Sequence, residues 1–222
     1  MTVAPTLQKG LKRLFSSAVL EIVAAILVII GLITTVIGLA AALATGGSTG
    51  SLIAAGVGPI LILISGILVI IAAILSLVGI INVSKENNRF KTALYAVLIG
   101  LVVSIINSIV GQGNATVSAI LKLVVDICNI VMFLFVCVGI RDVGEKIGRA
   151  DFLGKYNAIV IFYALAALLS LVGGFMNPLT SIPYIFQILG SVCSIISFIL
   201  YMGYLRKAIH AVDGVPVADQ YQ

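Results

Sequence analysis

Residues 117–140 read VSAILKLVVDICNIVMFLFVCVGI. A helix needs roughly 20 predominantly apolar residues to cross the hydrocarbon of a bilayer, and this run is long enough. It also carries Lys122, Asp126 and Asn129 near its middle, so the stretch that sets the solvent also raises the question of function.

Five further apolar runs flank it, at about 17–44, 53–83, 93–111, 157–175 and 183–205. Hydrophobic residues make up 61% of the 222-residue chain and charged residues only 9%, against about 25% charged in soluble domains. So few charges cannot cover a water-facing surface, which excludes a soluble monomer. The first run is far longer than the roughly 7–15-residue core of a signal peptide, and is expected to be a retained span. The reading is an all-α integral membrane protein, a six-span helical bundle in the lipid bilayer.

The breaks between runs alternate in character. GGSTGS (46–51), GQGNAT (111–116) and FMNPLTSIP (175–183) are uncharged turns, whereas SKENNRFK (84–91) and RDVGEKIGRADFLGKY (141–156) are charged. Lys9, Lys12 and Arg13 precede the first span. Lys85, Arg89 and Lys91 follow the second, Arg141, Lys146, Arg149 and Lys155 the fourth, and Arg206 and Lys207 the sixth. All thirteen basic residues except Lys122 thus fall on one side, which the positive-inside rule assigns to the cytoplasm. The expected organisation is a cytoplasmic segment 1–16, a transmembrane domain 17–205 and a cytoplasmic tail 206–222. The expected location is the plasma (inner) membrane, multi-pass, with both termini cytoplasmic. The net charge of +5 sits in juxtamembrane clusters that attract anionic lipid headgroups. No basic face with interleaved aromatics is present, so nucleic acid is not an expected partner.

A faint repeat links the spans. LVGIINVSKE (77–86), CVGIRDVGEK (137–146) and YMGYLRKAIH (201–210) end the even spans, and SSAVL (16–20), KTALY (91–95) and YNAIV (156–160) begin the odd ones. The runs 17–83, 93–140 and 157–205 then read as three parallel helical hairpins about a pseudo-threefold axis normal to the membrane. In architecture this resembles the small six-span membrane proteins built from three repeated hairpins, such as the acid-resistance HdeD group. The likeness is one of span count and repeat, and implies nothing about individual residues.

Polar residues within spans are costly, which makes their positions informative. Lys122, Asp126 and Asn129 fall at i, i+4 and i+7 on one helix face. A central Lys or Asp costs roughly 2.5–3.5 kcal/mol on the insertion scale, so the stripe is expected to face protein or water, with the two charges paired. Asn107 on the third span and Gln187 on the sixth lie at similar depth in the outer half and complete a candidate ligand or ion site. Ser191 and Ser194, which continue the Gln187 face, are read as structural polar residues. So is Glu21, one turn inside the first span, where an interfacial salt bridge to a linker Lys or Arg is expected. Gly56, Gly58 and Pro59 are read as a kink or loop in the long first hairpin.

Enzyme signatures are absent. The one histidine, His210, lies in the tail, which removes HExxH zinc chemistry and histidine triads, and no phosphate-binding loop or dinucleotide fingerprint occurs. Cys128, Cys137 and Cys193 are expected to be small buried hydrophobes. No cofactor and no metal site is expected. Two functions stay open: binding or conduction of a small solute or ion at a polar midplane site, and an accessory, assembly or immunity-type role through helix–helix contacts with a membrane-protein partner or a second copy.

Overall fold

The computed structural model describes residues 5–44, 46, 49–148, 154–175 and 182–213. The expected turn over 176–181, the end of the basic linker (149–153) and the tail beyond 213 lie outside the described residues. Six α-helices are present: α1 Pro5–Ala44, α2 Thr49–Ser84, α3 Asn88–Val110, α4 Ala115–Lys146, α5 Gly154–Phe175 and α6 Ile182–Asp213, with a 3₁₀ turn over Gly111–Gly113. There is no strand among the described residues. Five helices are long and apolar enough to cross a membrane, and α5 adds a shorter apolar stretch over Tyr156–Ser170. Large apolar side chains lie open along them, Leu43 at 79% and Ile109 at 73% exposure among others. A soluble monomer does not expose contiguous apolar surface on that scale. The chain is a multi-pass membrane protein.

The ends of the helices follow local chemistry. Asn87 caps α3 by accepting from the Arg89 N–H, and Asn114 caps α4 by accepting from Thr116 and Val117 N–H groups. At the opposite, basic end the helices run past the apolar runs, α4 to Lys146 and α6 to Asp213.

The chain divides into two compact units, residues 13–78 and residues 1–12 with 79–222. In the first, α1 and α2 run antiparallel on a seam of small residues. Ser17 Oγ donates to the Ala72 carbonyl at 2.9 Å, Ser65 Oγ donates to the Ala24 carbonyl at 2.9 Å, and a Cβ on Gly31 would stand 2.9 Å from the Gly58 carbonyl oxygen. Each pair lies seven residues beyond the last on both helices, the heptad spacing that keeps one face turned to its partner. Only small residues allow backbones this close in a membrane. Glu21 lies in this unit. It is exposed, its partner is Ser17 Oγ at 3.2 Å, and no Lys or Arg pairs with it among the described residues. The expected interfacial salt bridge is therefore replaced by a hydroxyl four residues back on the same helix.

In the second unit α3 pairs with α4, and α5 with α6. The α5–α6 seam repeats the heptad device: Ser197 Oγ donates to the Ile159 carbonyl at 3.1 Å, and seven residues along both helices Gly190 lies against Ala166. The N-terminal segment, expected to precede the first span, is helical from Pro5. Leu7 and Leu11 are buried on one face while Lys9 and Lys12 point away, and Leu7, Leu11, Phe90, Ile140, Ala208 and Val212 line one small cavity. Thr6 donates to Glu86 at 2.6 Å, and Asp213 accepts from Gln8 and pairs with Lys12 at 3.3 Å. The Gln8 hydrogen bond, helped by Lys12, holds the Asp213 carboxyl below the usual carboxylate range. Arg89–Asp142 and Arg141–Glu145, each at 3.5 Å, add to the basic end, where Arg141 also lies 5.3 Å over the Tyr156 ring.

Candidate functional site: an open cleft between two hairpins

Near the basic end the α3–α4 and α5–α6 hairpins meet through large rings. Phe133 of α4 stacks on Tyr163 of α5 with centroids 4.0 Å apart and lies 4.9 Å from the Tyr201 ring of α6. Tyr204 donates to the Cys137 carbonyl at 3.5 Å. Beyond this aromatic floor, towards the Gly111–Gly113 turn, α4 leaves α5 and α6. The result is an open cleft of about 640 Å³.

One wall is α4, with Thr116, Ala119, Ile120, Lys122, Leu123, Asp126, Ile127, Asn129 and Ile130. The other is Tyr163, Ala166, Ala167 and Ser170 of α5, with Ser194 of α6. The structure therefore brings Lys122, Asp126 and Asn129 together in one cavity and adds Ser194. At 1.5 Å rise per residue Asp126 lies about 16 Å from the start of α4, half of a hydrocarbon layer about 30 Å thick.

The expected Lys122–Asp126 ion pair is not formed. The two charged groups do not come within 4.0 Å of each other, and neither has a hydrogen-bond or ion-pair partner among the described residues. Both side chains are exposed towards the cleft.

Asn107 and Gln187 do not line this cleft. Asn107 sits at the turn end of α3. Its backbone carbonyl accepts from the Gly111 N–H, and its buried Oδ1 has no hydrogen-bond partner. The reason is rotational. The face of α4 that meets α3 carries Cys128, whose Cβ lies close to Gly100. Six residues separate Cys128 from Lys122, which at 3.6 residues per turn is about 120° around the helix. Gln187 is exposed on α6, where its carbonyl accepts from Ser191 Oγ at 2.8 Å. Ser191 is thus satisfied within its own helix, whereas Ser194 faces the cleft.

The α5 wall went unread in the sequence, although its signal was present. Tyr163, Ala166, Ala167 and Ser170 fall at i, i+3, i+4 and i+7, one face bearing two hydroxyls and two small residues. The lining has no cluster of three or more His, Cys, Asp or Glu that would hold a metal among the described residues.

Comparison with known proteins finds no matching family model, curated protein or solved structure.

Proposed function

We propose that this membrane protein binds or conducts a small polar solute or ion through the cleft, with Lys122, Asp126 and Asn129 as the contacting side chains and Tyr163, Ser170 and Ser194 as neutral partners. The observation that carries the proposal is a cavity of about 640 Å³ lined by two unpaired charges of opposite sign on one apolar helix, α4. Cavities of roughly 300–1,000 Å³ with a few convergent polar groups are the usual form of small-ligand sites. Charges inside spans mark solute and ion pathways more often than packing. Without a nucleotide-binding segment, energy would come from a gradient or a partner.

The proposal includes six spans in three repeated hairpins, with α5 as the sixth, and a plasma-membrane location with the basic ends and both termini cytoplasmic. The Lys and Arg segregation supports that orientation, and the same clusters would hold anionic headgroups. It treats the chain as a binding or transport protein and not an enzyme, since no hydroxyl lining the cleft is hydrogen-bonded to Lys122 or Asp126 among the described residues.

The test is water access. In a background with Cys128, Cys137 and Cys193 replaced by alanine, Asn129→Cys is exposed to a charged, membrane-impermeant thiol reagent in proteoliposomes. Ile161→Cys, on the lipid-facing side at 63% exposure, is the control. Modification at 129 with none at 161 is the expected result. Equal protection at both positions would mean a cleft covered by another subunit, and would favour the accessory role.

A further inference from the structure

We infer that the cleft takes a zwitterion of the α-amino acid type with an apolar side chain. The inference rests on the reading of the cleft as a solute site and names the solute's chemistry.

Lys122 and Asp126 stand one helical turn apart, with Cβ atoms about 6 Å from each other in such a pair. Their charged groups are more than 4.0 Å apart and unpartnered. A carboxylate on Lys122 Nζ and an ammonium on an Asp126 oxygen fill that interval and leave neither charge alone. A ligand with only a positive charge gains Asp126 and is repelled by Lys122; one with only a negative charge meets the reverse. A neutral polar solute compensates neither. Discrimination therefore comes from the unpaired charge that the wrong ligand leaves behind, a stronger device than apolar fit.

The remaining lining agrees with this occupant. Asn129 and Ser194 offer neutral donors and acceptors near the charged pair. Ile127 and Ala167 line the same cavity and give an apolar side chain a surface without polar groups to desolvate. The cleft thus has one place for each part of an apolar amino acid.

The experiment measures binding of three probes to the purified wild-type protein in nanodiscs: L-leucine, N-acetyl-L-leucine (anion only) and L-leucinamide (cation only). Leucine is expected to bind more tightly than either analogue by at least about tenfold, equivalent to about 1.4 kcal/mol. Lys122→Met should bring leucinamide level with leucine, and Asp126→Asn should do the same for N-acetyl-leucine. An analogue within tenfold of leucine on the wild type, or no saturable leucine binding, overturns the inference. The wild-type series needs no variant to fold. If the thiol reagent reaches position 129 but leucine does not bind selectively, the zwitterion inference fails and the solute site stands. If position 129 is protected, both fail.

Discussion

Two glycines of the same helix are expected to respond to alanine in opposite directions. An alanine in a helix interior is favoured over glycine by about 0.8–1.0 kcal/mol. At Gly66 an added Cβ would meet nothing within 4 Å, so Gly66→Ala is expected to stabilise the protein by about 0.5–1 kcal/mol. At Gly58 the same Cβ would collide with the Gly31 carbonyl and the Thr35 hydroxyl, and would stand 2.9 Å from the Thr35 backbone nitrogen. The hydroxyl can rotate, but the backbone atoms can yield only if α1 and α2 separate. Overpacking of this kind costs about 1–3 kcal/mol. Separation also stretches the Ser65–Ala24 hydrogen bond seven residues along the seam, which at about 0.6 kcal/mol for an interhelical bond in a membrane is a smaller loss. With both costs added and the propensity gain subtracted, Gly58→Ala is expected to destabilise by about 0.5–3 kcal/mol. The two variants should therefore differ by about 1–4 kcal/mol, or about 2–4 degrees in midpoint temperature per kcal/mol for a chain of this length. Thermal unfolding in lipid–detergent bicelles, followed by protease resistance, reads the difference. Thr35→Ala added to Gly58→Ala should recover only part of the loss, because the Gly31 carbonyl remains. A Gly58→Ala protein as stable as Gly66→Ala would show that the backbones are not in contact there, and would remove the seam as an account of this hairpin.

Two further outcomes are expected. Single cysteines at Asn87 and Gly148 should be labelled only from the cytoplasmic side and one at Gly113 only from outside; labelling of Gly113 and Asn87 from the same side would overturn the topology. The Gln8 and Lys12 contacts depress the pKa of Asp213, so their contribution to stability is present above the unfolded-state value near 3.9 and is lost as pH falls through the depressed folded value. The group is exposed and contributes no more than about 1 kcal/mol, so the expected effect is local: hydrogen exchange in residues 7–12, corrected for intrinsic rate, should quicken below about pH 4 in the wild type. It should be equally fast at all pH values in Asp213→Asn. Identical profiles for the two proteins would remove the clasp.

The helices were legible because length and hydropathy decide whether a segment spans a bilayer, and both are properties of sequence alone. The amphipathic start of α1 escaped that criterion, since Lys9, Lys12 and Arg13 lower the mean hydropathy of the window. The signal was nevertheless there in Leu7, Leu11 and Leu14 at i, i+4 and i+7, a stripe buried in the fold. The Lys122–Asp126–Asn129 face was equally legible, because it belongs to one helix. What faces it was not, because that depends on which neighbour stands at which angle. Asn107 and Gln187 match Lys122 in depth, yet depth does not fix rotation, and α4 turns Cys128 and not Lys122 towards α3. The ion pair fell on the same point. The i, i+4 spacing permits it, but each side chain is free to extend into an open cleft.

The geometry of the cleft follows from two packing rules acting at different heights. Small residues let α5 and α6 approach closely: a Cβ on Gly190 would stand 2.9 Å from Ser170 Oγ and 3.3 Å from the Ala166 carbonyl. The rings of Phe133, Tyr163 and Tyr201 then hold α4 a ring's width from that pair. A gap beyond the rings is the mechanical result, and a gap alone needs no function. A leucine at position 167, which Gly190 does not constrain, would help to fill it, and leucines at 122 and 126 would avoid about 2.5–3.5 kcal/mol of insertion cost each. The chain has alanine, lysine and aspartate there instead. Packing accounts for the shape of the cavity, but it does not account for two unpaired charges on its wall, and those are what point to an occupant.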